Sequence, residues 1–373
     1  MSGVVRGWCP NAWRPMAAGD GLLVRVRPRL GRMDADQLRA LCEAALACGN
    51  GLIDATNRAG LQIRGVSEAR WPGLMDRLVE AGLVDADPER ERRATLVLAP
   101  DWQPGDDTHR IATELLARLD ELPALPGKVG YAIDAGPAPV LGSTPADFRI
   151  ERGERGALIL RADGRDRGVP LRPGSEVDTL IALAEWFVAS GGLEAGRVGR
   201  HHAPLPDTLA GTDRPAAAGE PIHPGAHPLG AALGLPFGRI EATQMLALLD
   251  AAAPMAMRLT PWRVLLFEGI APLAIEGFVT DPAAISAAAC PGAPACPQAS
   301  VATRPLALRL APLVAGRLHV SGCSKGCAYA RPADVVLTGR EGRFDIAFNA
   351  RADDPPAESG RTADQLLARF ERP

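Results

Sequence analysis

Four cysteines in the last quarter of the chain are spaced to hold an inorganic centre. Cys290 and Cys296 form a C-x5-C pair, and Cys323 and Cys327 form a C-x3-C pair. Both pairs sit among Gly, Pro, Ala and Ser. Such small residues let the backbone approach a bulky inorganic core and aim its N–H groups at the core's sulfides. Four thiolates are soft ligands that suit zinc or an iron–sulfur cluster. Structural zinc usually takes arms of about two to four intervening residues, so the wider first arm suits a cubane better. The other three cysteines read as core residues. Cys42 lies on the apolar stripe of an expected helix, Cys48 near that helix's end, and Cys9 in Trp8-Cys9-Pro10. Seven is an odd count, which argues against a disulfide framework.

Lysine is the second scarce chemistry-bearing residue. The chain has 41 basic residues, and only Lys128 and Lys325 are not arginine. Compositional bias explains the arginine excess but not where the lysines fall. Both lie in glycine-bounded loops, Pro126-Gly127-Lys128 and Cys323-Ser324-Lys325-Gly326-Cys327. A compact ammonium differs from a planar guanidinium in size and hydration, so both are candidate catalytic residues. The histidine pairs, His201-His202 and His223 with His227, fall in a Pro- and Gly-rich stretch and read as loop residues.

The elements that must position these residues repeat along the chain. Gly31-Arg32-Met33 leads into a helix, and a segment from Thr56 to Val66 follows. Gly238-Arg239-Ile240 leads into another helix, and an equally long segment from Thr260 to Ile270 follows. Each segment has Thr first and Gly next to last. Gly127-Lys128-Val129, leading to Pro145-Ala146-Asp147, is echoed by Gly316-Arg317-Leu318, leading to Pro332-Ala333-Asp334. The order A-B-A′-B′ indicates a duplication with pseudo-two-fold symmetry.

Within the first A unit, Leu22 to Val26 alternates as a strand, with Arg25 and Arg27 on one face. Asp34 and Gln37 open a helix as a capping box. Leu38, Leu41, Cys42, Ala45 and Leu46 make its apolar stripe, and Gly49 stops it. Leu61, Ile63 and Val66 form the returning strand. Further helices are expected from about Ala69 to Gly82, over Thr108 to Leu119, and over Leu180 to Ala189. The fold class is therefore α+β, with boundaries at 15–82, 95–195, a linker at 196–228, then 229–280 and 281–370. Only the last unit carries the cysteine pairs.

Composition sets outer limits. A hydrophobic content of 47% supports a substantial core, and the formal net charge of −3 excludes coating nucleic acid by global charge. No run of about 20 uncharged apolar residues exists. Glu268 and Glu276 interrupt the best candidate, Val264 to Val279. No apolar signal core opens the chain, and a cytoplasmic location is expected.

With the A-B-A′-B′ order and the two cysteine pairs in place, residues 15 to 350 resemble the nitrite and sulfite reductase superfamily. Ser321-Gly322-Cys323, Cys327-Ala328 and Ala333-Asp334 resemble its signature. Within it the chain is most similar to the precorrin-3B synthases of aerobic cobalamin biosynthesis. Cys323-Ser-Lys-Gly-Cys327 resembles their lysine-bearing loop, where the reductases usually have Pro-Asn. Gly7-Trp8-Cys9-Pro10, Gly19-Asp20-Gly21-Leu22-Leu23 and Thr260-Pro261-Trp262-Arg263 resemble their other motifs. Where the reductases carry a paired Lys-x-Lys, this chain has Lys128 followed by Gly130.

The resemblance implies a duplicated nitrite/sulfite reductase-like architecture, in which two ferredoxin-like halves pair centrally beside two α+β domains. Cys290, Cys296, Cys323 and Cys327 would hold a 4Fe–4S cluster. Precorrin-3A would be hydroxylated with O2 and closed to a lactone, and a mononuclear non-haem iron is associated with the family. The substrate's peripheral carboxylates would meet Arg25, Arg27, Arg58, Arg64 and Arg263, since guanidinium forks match carboxylates bidentately. Lys128 and Lys325 would face the ring. No Gly-x-Gly-x-x-Gly follows a strand, so a separate ferredoxin or NAD(P)H-dependent reductase is expected to supply electrons. The alternative is a sirohaem-dependent nitrite or sulfite reductase. A simple iron–sulfur carrier is disfavoured, because it would not need a duplicated body.

Overall fold

The computed structural model describes residues 10–371. Cys9 and the Gly7-Trp8 that precedes it lie outside the described residues. A hairpin of β1 (Met16–Ala18) and β2 (Gly21–Val26) leads through β3 (Arg32–Asp34) into α1 (Ala35–Cys48). β4 (Leu52–Ala55), β5 (Leu61–Val66) and α2 (Trp71–Glu80) follow. The expected capping box starts α1: the Gln37 N–H donates to Asp34 Oδ1 at 2.8 Å, and the Asp34 N–H to Gln37 Oε1 at 3.3 Å. Gly49 ends it where a Cβ would lie 2.5 Å from Arg64 O. Leu38, Leu41, Cys42, Ala45 and Cys48 are buried, and burial pushes the Cys42 thiol up to about 12. Leu46, expected on this stripe, is instead 42% exposed. It follows Ala45 by about 100° around the helix and leaves the face that Cys48 completes.

The B unit is built from α3 (Pro88–Arg93), β6 (Leu96–Leu98), α4 (Asp107–Ala117), β7 (Tyr131–Asp134), β8 (Phe148–Arg152), β9 (Leu158–Ala162), β10 (Val169–Pro170), α5 (Glu176–Ala189) and α6 (Gly192–Ala195). The sheet order is β10-β9-β8-β7-β6, with β6, β7 and β8 parallel and the rest antiparallel. Its core joins Tyr131, Phe148 and Ile150 to Val177, Leu180 and Phe187 of α5. The expected linker at 196–228 is less loose than its composition suggests. Asp213 and Pro215 form bridges to Gly168 and Gly153, and Leu209 is buried in the same core.

The second A unit contains β11 (Gly225–His227), β12 (Gly230–Gly234), β13 (Arg239–Glu241), α7 (Ala242–Ala252), β14 (Ala256–Leu259) and β15 (Val264–Glu268). Backbone conformation repeats with the sequence. Leu30 and Phe237 both have φ of 56°, and Ala59 and Arg263 have φ of 46° and 60°. Each half also lends a strand to the other. The sheet orders are β1-β2-β5-β4-β13 and β11-β12-β15-β14-β3. β3 pairs with β14 in the register Arg32↔Arg258 and Met33↔Met257.

That exchange carries a buried ion network. Arg32 donates to both oxygens of Glu268, at 2.8 and 2.7 Å, and Arg258 donates to Glu268 Oε1 at 2.5 Å. The Arg258 guanidinium also lies 4.3 Å from the Trp102 ring centroid and bonds the carbonyls of Pro100 and Trp102. The bond from Arg32, despite burial and with Arg258 adding to it, holds the Glu268 carboxyl down at about 2. A depressed carboxyl stabilises the folded state fully above its unfolded value of about 4.5, and that contribution fades as pH falls toward 2. The depression corresponds to about 3 kcal/mol. Glu268→Gln is therefore expected to lower unfolding stability at pH 7 by about that amount, with the difference shrinking as acid titration of the wild type passes below pH 4. Parallel denaturant curves at pH 7 and pH 3 check this. An equal gap at both pH values would refute it.

The B′ unit comprises α8 (Pro282–Ser286), β16 (Ala288–Ala289), α9 (Arg304–Leu310), β17 (Leu318–Ser321), β18 (Ala333–Arg340), β19 (Arg343–Ala350), β20 (Glu358–Arg361) and α10 (Ala363–Phe370). Its order, β16-β17-β18-β19-β20, has the same succession of parallel and antiparallel neighbours as the B sheet. Tyr131 pairs with Phe148, and Leu318 with Val335, so Tyr131 corresponds to Leu318. This register lies two residues away from the one that the Gly-Lys-Val and Gly-Arg-Leu triplets suggest. A shared clamp fixes it: Asp147 Oδ2 accepts from Gly130 N at 3.0 Å, and Asp334 Oδ2 from Arg317 N at 2.6 Å. The chain forms two compact units. Among the described residues, one holds 10–222, 227–231 and 240–271, and the other 223–226, 232–239 and 272–371.

Candidate functional site

The two cysteine loops leave neighbouring parallel strands at the same end. β16 pairs with β17 in the register Ala288↔His319 and Ala289↔Val320. Cys290 follows β16 directly, and Cys323 follows β17 by two residues. The strands therefore bring the start of one loop beside the start of the other. The Gly322 N–H donates to Cys290 Sγ at 3.1 Å, and Ser300 N donates to Gly322 O. Thr303 Oγ1 donates to Cys290 O, and Ser321 Oγ to Cys323 O at 2.7 Å. Close approach requires glycine: a Cβ on Gly322 would lie 2.5 Å from Ala299 Cβ, and one on Gly339 would lie 2.7 Å from Gly322 O.

Cys290 is buried, Cys296 and Cys323 are half-buried, and Cys327 is exposed; all four are free thiols. Their sulfurs do not close around one point. Among the described residues, no three His, Cys, Asp or Glu side chains are grouped to hold a metal ion. What fits an iron–sulfur cluster is the donor set and its frame: four free thiols on two apposed loops, glycine where bulk would intrude, and a backbone N–H already directed at one sulfur. Lys325, between Cys323 and Cys327, is exposed.

The arginines expected to bind carboxylates lie in the other compact unit. Arg25 stands opposite Gln62 across β2 and β5, and its Nε and Nη2 donate to Gln62 Oε1 at 3.2 and 2.7 Å. Arg58 reaches Lys128, its Nη1 donating to the Lys128 carbonyl at 3.1 Å, so two candidate residues adjoin. Arg27 borders two clefts of about 40 and 390 Å³; Arg29 and Ala94 line both, and Arg258 and Trp102 line the smaller. Arg64 stands apart from this group. It is committed to Asp20 at 2.6 Å and Asp54 at 3.4 Å. Arg263 occupies a left-handed turn position that matches Ala59.

Neither lysine ammonium has an ion-pair partner among the described residues. Gly130 shows why no second lysine accompanies Lys128. It is buried, and a Cβ there would lie 3.0 Å from Thr95 O and 2.9 Å from Thr95 Cγ2. The histidine pairs stay local: His201 Nε2 is 2.7 Å from Ser190 Oγ, and Leu229 N donates to His227 Nδ1. Spacing gives no hint of His319, a lone histidine in β17 that is fully buried. Only the strand register places it under the second cysteine loop.

Comparison with known proteins accords with this architecture. The family described as nitrite/sulfite reductase ferredoxin-like half domain matches residues 14–81. A curated relative from Sinorhizobium sp, described as precorrin-3B synthase, is 32% identical over 391 residues, spanning 94% of this chain and 84% of the relative. Among solved structures, the Mycobacterium tuberculosis NirA protein superposes with a TM-score of 0.54 at 18% identity, over 94% of this chain and 80% of that one. At that identity the likeness concerns the fold alone.

Proposed function

This chain belongs to the precorrin-3B synthase family, and on that premise we propose that it is an O2-dependent monooxygenase that hydroxylates precorrin-3A and closes a ring acetate into a lactone. One oxygen atom of O2 enters the product. The other leaves as water, which takes two electrons and two protons from a separate ferredoxin or NAD(P)H-dependent reductase. Cys290, Cys296, Cys323 and Cys327 would hold a 4Fe–4S cluster; when bound, such a cluster supplies electrons singly. The chain's own residues have other tasks. Arg58 and Arg27 bind peripheral carboxylates, with Arg25 beside them on β2. Lys128, carried next to Arg58, adds an ammonium. Lys325 places a positive charge between two cluster cysteines.

What supports a monooxygenase over a sirohaem-dependent reductase is the buried Gly130. The reductases need paired cations to bind and protonate an inorganic anion. Here the second position admits no side chain without displacing Thr95. The test is oxygen uptake by the reconstituted protein. Uptake is expected only when precorrin-3A and a reductant are both present, with negligible reduction of sulfite or nitrite by a reduced dye. Rapid sulfite reduction, or a bound sirohaem spectrum, would replace this reading with the reductase one.

A further inference from the structure

His319 is the most unsatisfied side chain near the cysteine loops. It is 0% exposed, yet neither Nδ1 nor Nε2 has a hydrogen-bond partner. A buried polar group left unpaired is costly, so buried imidazoles nearly always find a partner. The neighbouring hydroxyls are spent elsewhere. Ser321, two residues on and so on the same face of β17, donates to Cys323 O, and Thr338, paired with Ser321 in the sheet, donates to Ala352 O. The rest of the surround is apolar: Ala333, Val336, Ala347, Ala350 and Ala352 form a cluster against Tyr329, and the Tyr329 ring meets His319 at 69° with centroids 6.1 Å apart.

The ring is aimed. Its Cε1, the carbon between the two nitrogens, lies 3.7 Å from where a Cβ on Gly326 would stand. Gly326 belongs to the loop between Cys323 and Cys327, so the nitrogen-bearing edge is turned toward that loop. Burial also pushes the imidazole down to about 4, so at neutral pH it is uncharged, with one N–H to donate and one nitrogen to accept. The duplication supplies an internal control. With Tyr131 matched to Leu318, the B-unit counterpart of His319 is Ala132, also buried. The copy without cysteines has a methyl group where the copy with cysteines has an imidazole.

We infer that His319 is a positioning and tuning residue for the cysteine-loop centre, its ring N–H donating to a cysteine sulfur or sulfide of the cluster that these loops would hold. This rests on the cluster reading above. A donor to a cluster sulfur stabilises the more negative, reduced state and so raises the reduction potential. His319 is not assigned as an iron ligand.

The test uses full-length protein isolated anaerobically with its metal, grown on ring-15N-histidine, reduced with dithionite and examined by pulsed electron paramagnetic resonance. A weak 15N coupling is expected in the wild type and absent in His319→Leu and His319→Gln. Iron and sulfide per chain should stay at the wild-type level in both variants. The midpoint potential should fall in His319→Leu and return part of the way in His319→Gln, whose amide can donate. A purely structural role would leave wild type and both variants with one potential and no coupling. If His319→Leu loses its metal, the coupling in the wild type and the potential of His319→Gln still decide. Absence of the coupling from a fully loaded wild type overturns the inference while sparing the cluster. A coupling as large as that of a directly bound nitrogen overturns it in favour of ligation. A wild type without iron or sulfide overturns both readings.

Discussion

Cys323→Ala is expected to lose most of its iron and acid-labile sulfide, and with them all precorrin-dependent oxygen uptake. The same is expected of Cys290→Ala. These two cysteines open the two loops from adjacent parallel strands, and the Gly322 N–H already meets the Cys290 sulfur. Removing one thiolate from a four-thiolate set leaves an iron without its protein ligand. Iron and sulfide determination on anaerobically purified variants measures the effect, and Cys42→Ala serves as the contrast. Cys42 is buried on α1 with its thiol pushed up to about 12, so it packs as an apolar group and its loss should leave metal content unchanged. Wild-type iron and sulfide in Cys323→Ala would end the assignment of these four residues.

Arg58→Ala is expected to weaken precorrin binding at least about tenfold, with Arg27→Ala close behind. A charge-assisted hydrogen bond to a desolvated carboxylate contributes about 1.5–3 kcal/mol, and about 1.4 kcal/mol is tenfold in affinity. Arg58 also orders the Lys128 loop through the Lys128 carbonyl, so its loss removes one cation and loosens a second. Titration of substrate analogues against salt distinguishes binding from folding: the wild type should lose affinity as salt rises, and Arg58→Ala should lose less. Arg64→Ala should behave otherwise. Its guanidinium is committed to Asp20 and Asp54, so its removal should lower stability and leave affinity nearly intact. Unchanged affinity in both Arg58→Ala and Arg27→Ala would remove the carboxylate-binding role from this face.

The duplicated plan was legible because glycine and threonine punctuate it. The segments from Thr56 and Thr260 have the same length and place their left-handed residues, Ala59 and Arg263, at the same step. Helix α1 was legible for a similar reason, since Asp34, Gln37 and Gly49 mark its ends by local hydrogen bonding. What the sequence could not display depends on partners far along the chain. Nothing near Arg64 announces Asp20 and Asp54 as its partners, and nothing near Glu268 announces Arg32. Leu46 was misplaced because an apolar residue one step beyond a stripe looks like part of it. The two-residue slip between the B units came from matching triplets, whereas the clamps from Asp147 and Asp334 fix the register in space. The cysteine pairs stood out by spacing, but the burial of His319 beneath one of them appears only once β17 is laid beside its neighbours.

The exchange of β3 and β13 bears on how such a chain could arise and how it must be made. Each half finishes its sheet with an edge strand borrowed from the other, and Arg32 reaches a carboxylate 236 residues away. Either half on its own would have an open sheet edge, a state that two copies relieve by trading strands as a domain-swapped dimer. Gene fusion would then have converted an association between molecules into a long loop closure within one. During synthesis the N-terminal half must wait for residues near Leu259 and Glu268 before its third strand can dock, which makes this a fold of high contact order. Truncation between the halves should therefore leave two unfinished sheets rather than two independent domains.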